Sequence, residues 1–264
     1  MSKPSILLAP HSFGLPEFYD PVFDAVRAKG YDIQGLHLPS SGLRAFEGRP
    51  GTPPTMYDDA NYLAREVEKL ADTGKDVVLI GHSYSGVPVS QCAKGLSKEE
   101  RRKQGKPGGL VNLAYLSSPV PPVGGHGNSF RAEVHAEHIV EMVIPEDGWI
   151  AMHQPETTAT ICFSSLSLEE GIAEVKKFAR HSAVSFTNPL TYAGYQDVPC
   201  SYLFCEQDLC IPVNVQQGVI DLIEKESGRK VDVTRINTDH CPHVTSKQAT
   251  VDWIVSLGEK ATLK

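Results

Sequence analysis

The sequence predicts an α/β fold, a mostly parallel six-stranded sheet with helices on both faces and a helical cap insertion. Three observations carry this. Apolar, β-branched runs of strand length alternate with amphipathic segments of helical period. The most apolar run, Val77-Val78-Leu79-Ile80, breaks at Gly81 into a serine, Ser83, set between small residues, and a helix can wind from Gly86 to Leu96. The alternation then lapses between residues 119 and 196 and resumes afterwards, as it would around an insertion.

Ser5 to Ala9 reads as the first buried strand and ends in Pro10-His11-Ser12-Phe13-Gly14, a loop of turn formers. A helix through Phe18, Val22, Phe23 and Val26 is stopped by Gly30. Tyr31 to Leu38 alternates as a second strand and runs into Pro39-Ser40-Ser41-Gly42, then a long polar loop carrying Pro50, Pro53 and Pro54. From Tyr57, Ala60, Leu63, Val67 and Leu70 trace an amphipathic helix that Gly74 ends before the central strand. Lys98 to Lys103 mixes both charge signs, as a solvated helix end does. Leu110 to Leu116 is the next strand, and the proline and glycine density from Pro119 to Gly125 marks a boundary.

Beyond that boundary Phe130 to Val143, Gly148 to Met152 and Leu168 to Ala179 read as a helical, irregular insertion over the strand ends. The sheet resumes with Cys200 to Cys205, a helix from Val213 to Glu226, a last strand from Val231 to Ile236 and a last helix from Lys247 to Leu257. The core domain is therefore placed at 1–118 and 197–264, and the cap at 119–196.

Among 264 residues, 32 Asp and Glu outweigh 25 Lys and Arg, a formal charge of −7. That balance argues against nucleic acid or an anionic membrane as partner and suits a small, weakly charged molecule. Ile6 to Ala9 is too short for a signal-peptide core or a membrane span, so a cytoplasmic location is expected. Cys92, Cys162, Cys200, Cys205, Cys210 and Cys241 show no repeated C-x-x-C spacing and are expected as free thiols. Nothing here decides between a monomer and a homodimer.

A strand, a sharp turn and a helix around Ser83 describe a nucleophile's turn, where only small side chains fit nearby. Gly81, Ser85 and Gly86 supply them, with Ser85 standing where the usual G-x-S-x-G pattern has its last glycine. A serine hydroxyl needs a base to take its proton and an acid to orient that base. In a sheet wound this way the order is Ser, then Asp or Glu, then His, each at a strand's carboxyl end. Glu206 and Asp208 follow the fifth strand, and Asp208 is favoured because it lies deeper in the loop, before Ile211-Pro212. After the last strand His240 and His243 compete, and His240 is favoured by its place in the first turn. Neither this pair nor His135 and His138 has a third ligand or an H-E-x-x-H frame, so neither metal nor cofactor is expected. The backbone N–H groups of Ser12 and Tyr84 are the candidate oxyanion donors.

The first-strand loop, Leu38-Pro39-Ser40-Ser41-Gly42, Gly81 to Gly86, Glu206 to Pro212 and Asp239-His240-Cys241-Pro242 together resemble the compact α/β-hydrolases. The branch is that of plant methyl esterases and hydroxynitrile lyases with their microbial relatives, and the likeness covers nearly the whole chain outside residues 120 to 160. It implies the α/β-hydrolase fold, with Ser83 as nucleophile, Asp208 as orienting acid, His240 as base, and Ser12 and Tyr84 lining the oxyanion hole. Cys241-Pro242 matches the small residue and proline that microbial members often carry after the base, which favours His240 over His243. His11 stands where those members commonly have glycine, so its side chain is expected in the site. The lyases place a lysine after the base and a threonine in the first loop, where this chain has Cys241 and His11, which counts against cyanohydrin chemistry.

The expectation is a carboxylesterase-like serine hydrolase that cleaves an ester, lactone or thioester of a small to medium apolar molecule through an acyl-enzyme. The insertion would shape the pocket, with His11, Phe13, Trp149, His153 and Phe163 as substrate contacts and Phe130, His126, His135 and His138 also available. Pro242 is expected to turn His243 toward a different surface. Two rivals keep the same site: a lyase or carbon–carbon bond enzyme of secondary metabolism, and an inactive ligand-binding homologue. A burst of acyl-enzyme from a chromogenic ester separates the first, and the presence of all three triad candidates opposes the second.

Overall fold

In the computed structural model, which describes residues 3–140 and 142–263, the apolar run ending at Ile80 lies inside a six-stranded parallel sheet. The chain runs through β1 (Ser5–Ala9), α1 (Asp20–Ala28), β2 (Asp32–Gly35), β3 (Ser41–Ala45), α2 (Met56–Asp72), β4 (Asp76–His82) and α3 (Gly86–Cys92). It continues through α4 (Lys98–Lys103), β5 (Gly109–Leu116), β6 (Trp149–Ile150), α5 (Pro155–Cys162), α6 (Leu168–Val175) and β7 (Ala179–Ser182). It ends with β8 (Cys200–Cys205), α7 (Val213–Ser227), β9 (Asp232–Ile236), α8 (Pro242–Thr245) and α9 (Lys247–Thr262). The main sheet is ordered β2-β1-β4-β5-β8-β9, and every neighbouring pair in it is parallel.

Alternation along each strand sorts the core into two layers. Leu7, Val77 and Leu79 face α2, α3 and α7, packing with Leu63, Val67, Val87 and Ile220. Ile6, Leu8, Val78 and Ile80 face the opposite way and pack with Val22 and Phe23 of α1 and Trp253 and Ile254 of α9. Each such fully buried side chain contributes about 1.5–3 kcal/mol. Helix α2 starts one residue earlier than its apolar pattern because Thr55 and Asp58 form a capping box, each side chain accepting the other's backbone N–H.

The segment between β5 and β8 departs from the helical expectation. Gly148 to Met152 holds strand β6, and the helix begun at Leu168 stops at Val175, with β7 starting at Ala179. Strand β7 pairs antiparallel with β6 on one side and β3 on the other, so part of the long polar loop joins a second, three-stranded sheet. Arg180 pins this sheet through Asp147 and the Trp149 carbonyl. Phe130 to Val143 is not one helix. It holds two single 3-10 turns, Ser129–Glu133 and Ala136–His138, while Glu141 lies outside the described residues. Runs this short fit either period, and what decides them is the partner strand, which sequence patterning does not carry. Among the described residues no helix is long and apolar enough to cross a membrane, and all six cysteines are free.

The turn from β4 into α3 fixes everything placed above it. Ser83 sits at φ 53°, in the left-handed region. A Cβ on Gly81 would come within 2.7 Å of the Ser85 carbonyl oxygen, and one on Gly86 within 2.7 Å of Ser118 Cβ. Ser85 replaces the usual glycine with a purpose visible here, since its hydroxyl donates to the Pro10 carbonyl and ties the turn to the first loop. Gly81→Ala is expected to lower the unfolding free energy by about 1–3 kcal/mol, because backbone, not a mobile side chain, would have to give way. Urea denaturation checks this, and an unchanged midpoint contradicts the close packing.

Candidate active site

Three side chains at the carboxyl ends of three strands meet in one line. The Ser83 hydroxyl lies 2.9 Å from His240 Nε2, and His240 Nδ1 lies 2.7 Å from Asp208 Oδ2. A carboxylate only accepts, so Nδ1–H donates to Asp208 and Nε2 is left to accept from Ser83. The backbone N–H groups of Cys210 and Ile211 each donate to Asp208 Oδ1 at 2.8 Å, and the Ser117 hydroxyl donates to Oδ2. Ser117 reaches it from a left-handed backbone at φ 40° just after β5. Asp208 is 3 % exposed, while Glu206 faces solvent, so the loop's turn brings the deeper carboxylate to the histidine. Burial opposes charge on His240, but the Asp208 carboxylate in contact with it outweighs this and raises its proton affinity above the ordinary value of 6.5.

The first-strand loop offers one open amide. The His11 N–H donates to the Tyr19 hydroxyl at 3.3 Å and the Phe13 N–H to His181 Nδ1 at 3.3 Å, which leaves Ser12 between two occupied amides. Ser12 and Tyr84 both line the cavity over Ser83. Tyr84 is anchored from beneath, its hydroxyl donating to Asp59 Oδ2 at 2.7 Å, while Asp59 Oδ1 accepts the Ser40 N–H at 2.8 Å. Burial pushes the Asp59 carboxyl up to about 6. Sequence reasoning passed over Asp59, although it falls on the same face of α2 as Met56, Ala60 and Leu63, where a lone carboxylate stands out.

A group of neutral histidines packs under this corner. The His82 Nε2 lies 2.9 Å from the His240 carbonyl oxygen, so it donates there, and Nδ1 accepts from the Tyr19 hydroxyl at 2.6 Å. His11 donates from Nδ1 to the Ser12 carbonyl at 2.7 Å. His243 does not turn to another surface, contrary to the sequence expectation. Helix α8 starts at Pro242 and folds His243 inward, where its ring stacks on Tyr19 at 4.2 Å between centroids and is 3 % exposed. Burial holds His11 down at about 4 and His181 at about 3, and it depresses His82 and His243 well below 6.5.

The cavity spans about 800 Å³, part of it open to solvent, with Ser83 and His240 in its wall. Much of that wall comes from the segment between β5 and β8, including Phe130, Val140, Met152, Phe178 and Phe186. Of the expected substrate contacts, His11 and Phe13 line it. Trp149, His153 and Phe163 do not. The Trp149 indole packs against Gly48 beside Arg180, in a separate shallow pocket. Phe163 is buried in the core, with its ring 6.2 Å from that of Phe178, and His153 is exposed. Aromatic content marked the right segment, but the face each residue presents depends on the β6–β7 pairing and the placement of α5. Phe178, Phe186 and Met152 were missed for that reason.

The four buried histidines bind fewer protons folded than unfolded, so each loses up to about 1.4 kcal/mol of stability per pH unit below 6.5. Asp59, held up at about 6, runs the other way and cancels roughly one of them. His240, raised, contributes its full share below 6.5 and adds no slope there. The urea midpoint is therefore expected to fall as pH is lowered from 6.5 toward 5, and a flat or rising midpoint contradicts neutral burial.

Comparison with known proteins follows from this geometry. The model of the alpha/beta hydrolase family matches residues 6–253. Over 257 residues the chain is 32% identical to "Probable hydrolase R7" of a Phoma species, covering 97% of this chain and 99% of that protein. Among solved structures, a pyrethroid hydrolase from Sphingobium faniae superposes with a TM-score of 0.74 at 17% identity, covering 98% of both chains. A polyneuridine aldehyde esterase superposes at 0.73 with 15% identity, over 97% of this chain and 99% of that one. These structural likenesses speak for the fold alone. The family match and the full-length relative go further: the chain belongs to the alpha/beta hydrolase family.

Proposed function

We propose that this protein is a serine hydrolase that cleaves an ester, lactone or thioester of a small to medium apolar molecule, with Ser83, His240 and Asp208 as its triad. The observation that carries the reading is the hydrogen-bonded line from Ser83 Oγ through His240 to Asp208, at the edge of a largely apolar cavity. Ser83 Oγ attacks the carbonyl carbon while His240 Nε2 takes its proton, and Asp208 stabilises the imidazolium. The developing oxyanion meets the N–H groups of Ser12 and Tyr84, each such donor being worth about 10²-fold or more in turnover. His240 then protonates the leaving group, activates a water in turn, and Ser83 is released from the acyl group. The reading needs no cofactor, and the segment between β5 and β8 acts as the lid, with His11 and Phe13 among the groups that touch substrate. Support also comes from the relatives' names, which include a hydrolase and an esterase.

A fluorophosphonate probe is expected to label Ser83 and no other residue, and Ser83→Ala to abolish both labelling and turnover of a methyl, aryl and lactone panel. Most activity retained by that variant would end the proposal. Asp208→Asn is expected to cost about 10⁴-fold in kcat, whereas Glu206→Gln, on a solvent-facing side chain, stays close to the parent.

The pH profile gives an independent measure. Only neutral His240 accepts the serine proton, so kcat/KM falls as pH drops through its pKa, which Asp208 holds above 6.5. The acidic limb should therefore lie on the alkaline side of 6.5, move down in Asp208→Asn and persist in His243→Ala, which loses stability instead. A limb that vanishes in His243→Ala would transfer the base's role to that residue.

A further inference from the structure

We infer that a second groove, walled off from the cavity over Ser83 by Phe130, is the subsite for an extended apolar arm of the substrate; this rests on the serine hydrolase reading. The groove spans about 670 Å³, part of it open to solvent, and shares Pro119 and Phe130 with the first cavity. Its far wall is one face of α7, with Val215, Val219 and Leu222 spaced i, i+4 and i+7. The polyproline stretch after Pro119 forms the near wall.

Gly218 lies where the groove opens to solvent. It sits in the middle of α7 on the groove face, and a Cβ built on it meets no atom within 4 Å. Glycine is the poorest helix former after proline, and here no close approach of a neighbour requires it. Exposed on the groove face, the position has room for a larger side chain that would occupy the groove. Phe130 is suited to part the two spaces, because it is half-buried on the single 3-10 turn Ser129–Glu133. That turn is fastened to α7 by a long contact, Asn214 Nδ2 to the Glu133 carbonyl at 3.5 Å. A side-chain rotation of Phe130 joins the cavities without disturbing the sheet or the line from Ser83 to Asp208. The buried part of the wall is apolar, with Val120, Val215 and Val219, while the polar lining residues His126, Ser129 and Glu133 are half-buried or exposed, so the ligand chemistry is a straight, uncharged hydrocarbon arm on the ester, longer than the first cavity holds.

The test is a chain-length series of esters, varied in the acyl arm as 4-nitrophenyl alkanoates and in the alcohol arm as alkyl acetates. The Gly218→Phe variant fills the groove at a position where the helix gains rather than loses propensity. It is expected to cut kcat/KM for ten- to twelve-carbon arms by about tenfold or more while two- to four-carbon esters stay within about twofold. Phe130→Ala is expected to favour the long arms. Binding is measured in parallel with the fluorescent fatty acid dansylaminoundecanoate in the parent and in Gly218→Phe, where the variant should bind it about tenfold more weakly. If no ester of any length is cleaved, the hydrolase reading fails and the binding comparison alone decides the groove. Equal long-to-short ratios, or equal probe affinity where nothing is cleaved, overturn the inference.

Discussion

The strained turn at Ser83 is the constraint on which the rest of the molecule depends. A non-glycine residue at φ 53° costs about 1–3 kcal/mol and persists only where its surroundings over-determine it. Here they do. Strand β4 is held between β1 and β5, Gly81 and Gly86 allow backbone to approach within contact, the Ser85 hydroxyl ties the turn to Pro10, and the Ser118 hydroxyl donates to the Gly81 carbonyl at 2.8 Å. The last two bonds come from the loops after β1 and β5. The turn, the candidate oxyanion loop and the exit of the neighbouring strand are therefore one rigid unit.

Electrostatics around that unit follow from burial without spare water. Asp208 has its acceptor positions filled by two amides, the Ser117 hydroxyl and His240, so it is held aimed at His240 while 3 % exposed. The four other buried histidines, His11, His82, His181 and His243, take the opposite solution, burial depressing their proton affinity, and His82 is held in one sense between Tyr19 and the His240 carbonyl. Among these buried histidines, the one in contact with a carboxylate, His240, gains proton affinity. One histidine with raised proton affinity is thus set among four whose affinity burial depresses.

The segment between β5 and β8 is built by different rules. It has little regular helix over Ser129 to Ile150, and it is fastened by short strands, by Arg180 to Asp147, and by the Ser165 N–H to Asp239 at 2.9 Å, beside His240. Its fixed points lie on the β3–β7–β6 sheet and at α5 and α6, while the turn that carries Phe130 precedes β6 and touches α7 through Asn214. Cavity shape is accordingly set by the least regular part of the chain. The chemistry is set by the most regular part.

The sequence by itself determined the central architecture and where the chemistry should sit. Runs such as Ser5–Ala9 and Cys200–Cys205 are apolar on both faces, as a strand covered by helices must be, and their boundaries in the structure are those read from the chain. The turn at Ser83 was legible because its sterics admit few residue types, and topology narrowed the acid and base candidates to the ends of later strands, Glu206 or Asp208 and His240 or His243. Tertiary structure alone decided the rest. Whether Gly148 to Met152 is helix or strand depends on β7, far along the chain, and whether Trp149 or Phe178 faces the cavity follows from that pairing. The inward fold of His243 and the Asp59 anchor under Tyr84 likewise belong to contacts between distant segments. Local pattern reports what a segment would bury, and only packing names what it is buried against.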